Sequence, residues 1–225
     1  MRKLFELDQE LLLEHNLRIE EAYIASYILI HLGFVNTHYA KLDENDKKNL
    51  WKDLLFLNYS KRTMRGKISK IRKLLIHYQD YNTIFNGYDK YQLSIKKIKP
   101  INVFGYDPCI MKKYVLDLTD MLLIDYLTKL SYSKTMHHLT VENKKYTYLT
   151  LKLLVKDYPI VRLGCAGLKR RMNILIDKKI IERKSIYDVS TKSRKNYYQV
   201  NQDSLFNDGN NKNVDTPNFT PIVEF

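Results

Sequence analysis

Residues 60–76, SKRTMRGKISKIRKLLI, lie without a gap over residues 164–180, GCAGLKRRMNILIDKKI, at an offset of 104. Met64 falls on Leu168, Ile68 on Met172, Ile71 on Leu175 and Ile76 on Ile180. The apolar spacing i, i+4, i+7 lines one helix face in both copies. Further upstream, Leu50 falls on Leu154 and Lys52-Asp53 on Lys156-Asp157. Each copy is preceded by another apolar helix, EEAYIASYILIHL (20–32) and TDMLLIDYLTKL (119–130). Each is followed by a strand-like pair. IHYQDYNTIF and YQLSIKKI flank NGYDK, whose Asn86-Gly87 is a hairpin signal, and IIERKSIYDV and NYYQV flank STKSRK. A chain that repeats this order must fold as two similar units.

The order is helix, short strand or loop, short helix, longer basic helix, β-hairpin. It is the layout of a winged helix, a helix-turn-helix with a β-wing, in which the second helix enters the major groove. The expected fold is therefore α+β and mostly helical, with two winged-helix domains in tandem over residues 8–100 and 115–201. Residues 101–114 form the expected linker, where Gly105 and Pro108, after Pro100, break regular structure. The segment 202–225 is expected to be a flexible, disordered tail, because from Asn207 it is polar and rich in turn formers.

On a wheel of about 100° per residue, Met64, Ile68, Ile71 and Leu75 share the buried side of the first basic helix. Arg62, Gly66, Ser69 and Lys73 point away, with Arg65, Arg72 and Lys70 on the flanks and Lys61 just after Ser60, the expected N-cap. Gly66 costs roughly 1 kcal/mol inside a helix, and its outward position lets a partner approach the backbone closely. In the second helix Ala166, Arg170 and Asn173 point outward, with Lys169 and Arg171 beside them. Arginine suits guanine edges and phosphates, and asparagine suits adenine. Gly164 and Gly167 fit a tight turn around Cys165, a thiol expected to pack. The wing tip brings Lys192, Ser193, Arg194 and Lys195 together, a set suited to phosphates or a minor groove. The first hairpin holds Lys90, Lys96, Lys97 and Lys99 instead.

Charge favours the same ligand. The 225 residues carry 38 Lys and Arg against 25 Asp and Glu, a net +13. From Asn201 on, Asp203, Asp208, Asp215 and Glu224 stand against Lys212, so the surplus lies in residues 1–200. Such a surplus points first to nucleic acid and second to an anionic membrane surface. The longest apolar run, Ala22 to Val35, is broken by His31 and is too short to span a bilayer. The N-terminal MRKLFELDQE has acids where a signal peptide has its apolar region. Two cysteines make neither a disulfide framework nor a zinc finger, so a cytoplasmic protein without membrane contact is expected.

Nothing in the chain spells out catalysis. Phosphate-binding loops, HExxH, CxxC and GxSxG are all missing. His137-His138 departs from the rolling-circle initiator pattern, which separates its histidines by one apolar residue. Adjacent side chains diverge, which is poor metal geometry. No metal, cofactor or enzyme activity is expected.

Two winged helices in a basic chain of this size resemble theta-type plasmid replication initiators over residues 8–201, at the level of architecture. The resemblance implies binding to repeated origin sites in double-stranded DNA, as an initiator of a plasmid or phage. A winged-helix transcriptional regulator and a protein-binding winged-helix module stay open as alternatives, as does a homodimer. Separately, QDSLF resembles the bacterial sliding-clamp-binding pentapeptide at Gln202, Ser204, Leu205 and Phe206, with Asp203 in place of a leucine. That likeness implies the sliding clamp as a partner for an accessible segment.

Overall fold

The structure, a computed structural model, describes residues 7, 9–31, 54–60, 62–71 and 103–206. Its first helices are α1 (Gln9–Glu14) and α2 (Ile19–His31), followed by a 3-10 turn at Leu55–Leu57 and a helix α3 over 62–71. Then come α4 (Pro108–Tyr114), α5 (Leu118–Tyr132), strands β1 (His138–Val141) and β2 (Lys144–Tyr148), and α6 (Leu151–Asp157). A 3-10 turn at Pro159–Val161 leads to α7 (Cys165–Asp177), strands β3 (Ile181–Asp188) and β4 (Ser193–Val200), and α8 (Gln202–Phe206). The protein is α+β and mostly helical, with one antiparallel sheet of order β1-β2-β4-β3 among the described residues. Among them no helix is long and apolar enough to cross a membrane.

Local chemistry fixes these boundaries. Asp117 caps α5 by accepting from the backbone N–H groups of Thr119 and Asp120, while Asp120 accepts from the Asp117 N–H, a reciprocal capping box. Helix α5 is the centre of the molecule. It is buried on nearly all sides from Leu118 to Leu130, with β2 and β4 against one face and α2 and α7 against others. A helix apolar all round is a core helix.

The two copies repeat in structure, down to single hydrogen bonds. Asn16 and Val115, 99 apart, both adopt left-handed backbone, with φ of 53° and 50°. The next residues, Leu17 and Leu116, donate to Leu12 O and Met111 O, each at 2.8 Å. Glu21 accepts from the Arg18 N–H at 2.8 Å as Asp120 does from Asp117 at 3.1 Å. Further on the offset is 104. The turns Leu55–Leu57 and Pro159–Val161 coincide, and Asn58 and Arg162 follow them with φ of 54° and 55°. Helices α3 and α7 bury corresponding side chains, Met64 with Leu168 and Ile71 with Leu175.

The copies also hold each other. Helix α1 packs on the second 3-10 turn, and α4 packs on the first. Gln9 Nε2 donates to Asp157 O at 2.7 Å, and Arg162 Nη2 to Leu17 O at 3.3 Å. One apolar cluster runs from Leu7 to Leu205 through both copies. Of the expected linker 101–114, residues 103–114 are described. From Val103 it is a turn closed by the Val103–Tyr106 bridge and then α4, started by Asp107 as N-cap and Pro108 at the first turn. Val103, Tyr106, Ile110 and Met111 enter the shared core. The expected first hairpin and the tail from 207 lie outside the described residues.

Candidate nucleic-acid interface

Helix α7 is held by Leu168, Met172 and Leu175, which are buried. That anchoring leaves Ala166, Lys169, Arg170 and Asn173 exposed, as the wheel requires. Lys169 and Arg170 have no ion-pair partner among the described residues. Arg171 differs from the expectation. Its guanidinium turns inward, with Nη1 2.6 Å from Asp117 Oδ2 and 2.9 Å from Asp120 Oδ1. Burial opposes the Arg171 charge, but the two carboxylates outweigh it and raise its pKa. Asp120 is raised as well, by burial and by the like charge of Asp117, against the pull of Arg171. Arg171 therefore clamps α7 to the start of α5.

The turn before α7 also departs from the sequence reading. Its left-handed residue is Arg162, while Gly164 sits in extended backbone (φ −74°) as the N-cap. At Gly167 a Cβ would meet the Leu163 side chain at 3.3 Å, so any larger residue there must displace that side chain by a few tenths of an ångström. Cys165 is exposed, not packed.

Strand alternation sorts the wing into two faces. On one, Ile181, Tyr198 and Val200 are buried near the hairpin base. Moving toward the tip the same face carries Arg183, Ser185 and Tyr187 opposite Tyr198, Asn196 and Arg194. Arg183 Nη1 donates to Asn173 Oδ1 at 3.3 Å, so this face adjoins the exposed side of α7. Ser185 Oγ donates to Asn196 Oδ1 at 2.7 Å. Lys195 belongs to the other face, where its ammonium meets Asp188 Oδ2 at 2.5 Å. Lys195 and hydrogen bonds from Ser190 and Thr191 hold the Asp188 carboxyl far below its usual range, and Asp188 raises Lys195 in turn. Asp188 thus shapes the tip, Lys192 takes the left-handed position (φ 47°), and Thr191 Oγ1 lies 2.9 Å from Ser193 Oγ. Lys192 and Arg194 remain exposed.

In the first copy, Ser60 Oγ accepts from the Thr63 N–H at 3.2 Å as the cap of α3. Arg62, Arg65, Gly66 and Ser69 are exposed, and Gly66 has open space where a Cβ would stand. Lys67 is used internally on Glu21, and Lys70 approaches the same carboxylate at 3.9 Å while staying partly exposed. Burial opposes the Glu21 charge, yet Lys67 and the Arg18 N–H leave its pKa below the usual carboxylate value. Lys61 and Lys73 lie outside the described residues.

The structure adds Arg183, Tyr187 and Asn196 to the sequence-derived set. Their signal was available in the alternation of RKSIYD against SRKNYY. His138 is a structural group, with Nε2 2.7 Å from Ser133 O and Nδ1 3.1 Å from Thr147 Oγ1. Among the described residues no group of three or more His, Cys, Asp and Glu could hold a metal ion. Gln202–Phe206 is a helix, and Leu205 is buried in the core cluster, so the segment is not an accessible extended peptide.

No family model matches this chain, and no curated protein or solved structure matches it either.

Proposed function

We propose that the protein is a non-enzymatic, sequence-specific double-stranded DNA-binding protein built from two winged-helix units. One observation carries it. The exposed side of α7 (Lys169, Arg170, Asn173) adjoins the wing face of Arg183 and Arg194, while Asp117 and Asp120 are engaged by Arg171. Donors on a helix beside a basic hairpin match a major groove with its flanking phosphates. The net +13 favours the same polyanion.

Likeness to theta-type plasmid initiators supports replication as the setting. The burial of Leu205 removes the clamp contact as a reason to prefer replication over transcription, so the proposal is carried at the level of DNA binding. Selection of bound fragments from a random duplex pool, followed by titration at several salt concentrations, tests it. Log affinity should fall with log salt at about −0.9 per neutralised phosphate. No enriched sequence, or affinity indifferent to salt, rejects it.

A further inference from the structure

The geometry points to a DNA site that is an imperfect inverted repeat, both halves of which are held by a single chain. This rests on the DNA-binding reading above and adds the symmetry of the ligand. In a head-to-tail arrangement, a surface of one copy meets a different surface of the next, and the contact is not returned. Here it is returned. Helix α1 meets the turn Pro159–Val161, and its counterpart α4 meets the turn Leu55–Leu57. Contacts made reciprocally between like elements are the mark of a twofold relation. Helices α2 and α5, also counterparts, touch each other, as elements beside the dyad must.

The basic helices begin next to this interface. Arg162, two residues before the cap of α7, donates to Leu17 O just ahead of α2. The turn Leu55–Leu57, just ahead of the Ser60 cap of α3, packs on α4. Helices α3 and α7 therefore start on opposite sides of one dyad and run in twofold-related directions. DNA has local dyads of its own, and a protein with twofold-related reading helices matches half-sites of opposite orientation about one helical turn apart. In a symmetric dimer the halves would be identical. In this chain the exposed residues differ between copies, Arg65 against Lys169, Gly66 against Arg170 and Ser69 against Asn173. The two halves should accordingly differ in sequence.

The test starts from the site selected with the full chain. Three duplexes are compared: the selected site, the same site with one half reversed into a direct repeat at equal spacing, and one half alone. Stoichiometry is measured by sedimentation. We expect one chain per site, opposed halves centred about 10 base pairs apart, and at least a tenfold loss for the direct repeat and for the single half. Arg170→Ala should relax preference in one half only, and Arg65→Ala in the other. Equal affinity for the direct repeat, two chains per site, or a selected site with one half overturns the inverted repeat and leaves DNA binding standing. Absence of any selected duplex overturns both.

Discussion

Lys67 Nζ lies 2.9 Å from Glu21 Oε1, tying the basic helix of the first copy to the start of the apolar helix beneath it. Arg171 and Asp120 make the same bridge in the second copy, also at 2.9 Å. In each copy a cation in the middle of the basic helix thus serves the fold. Its neighbours on the outer face stay exposed.

The two bridges should respond differently to removal and to pH. Glu21 is the carboxylate on Lys67, whereas Arg171 keeps Asp117 when Asp120 is lost. Glu21→Gln should destabilise by about 2 kcal/mol, and Asp120→Asn by less than roughly 1 kcal/mol. Because the folded pKa of Glu21 is lowered, its contribution is present above about pH 4.5 and lost as pH falls through the folded value. The pKa of Asp120 is raised, so its contribution has the opposite sign: it favours the fold below its ordinary value of 3.8 and is lost as pH rises through the raised one. Urea melts at stepped pH should therefore show a flatter acid limb for Glu21→Gln. An unchanged limb rejects the assignment.

Adjacent arginines on α7 should separate cleanly. Arg170→Ala is expected to weaken specific DNA by roughly 1–3 kcal/mol at unchanged thermal stability. Arg171→Ala should lower stability first, since it leaves Asp117 and Asp120 facing each other. Arg183→Ala frees Asn173 Oδ1 as an acceptor. With Arg183 present, the amide offers mainly donors, which suits guanine acceptors. Without it, Asn173 can pair with adenine in two hydrogen bonds. Selection with the Arg183→Ala protein should shift preference toward adenine at that position. Identical selected sites would show that Asn173 does not face a base.

Backbone strain gives a stability test independent of DNA. Val115 holds a left-handed conformation, φ 50° and ψ 60°, with 80% of its surface exposed. A β-branched residue pays there in steric energy without gaining burial. The matching position in the first copy is Asn16, a residue type that tolerates this conformation. Val115→Asn should stabilise by about 1 kcal/mol, seen as a higher melting temperature. Gly66→Ala should stabilise by a similar amount through helix propensity, roughly 1 kcal/mol, because its Cβ meets open space. If DNA approaches the backbone at Gly66, the same substitution lowers affinity.

Periodicity made much of this legible in sequence. Met64, Ile68 and Ile71, like Leu168, Met172 and Leu175, repeat every three to four residues because one helix face must be apolar, and Asn201 onward loses that pattern. What stayed hidden were long-range pairings. Nothing near Arg171 in the chain announces carboxylates 51 and 54 residues upstream. The hairpin β1–β2 turns through Glu142 and Asn143, both left-handed, without the glycine that marks such turns. In 101–114, Gly105 and Pro108 suggested a linker. Asp107-Pro108 is equally the start of a helix, and only the burial of Ile110 and Met111 decides between them.

The end of the described chain gives the last prediction. Leu205 is 6% exposed and sits in the core cluster, on a short helix directly after β4. Truncating it removes buried methyl groups and leaves a cavity, at a cost of about 2–4 kcal/mol. For a chain of this size each kcal/mol lowers the melting temperature by about 2–4 °C. Leu205→Ala should therefore melt several degrees lower, while its affinity for the selected duplex at low temperature stays unchanged. A peptide that docked on a sliding clamp through Leu205 would first have to leave this core, so the native chain should not co-purify with the clamp. Asp203→Leu adds an apolar group on the exposed side of α8 and should not create that interaction. Capture of the clamp by the native chain, abolished by Leu205→Ala without loss of stability, would show that the helix detaches and that Leu205 is an interaction residue after all.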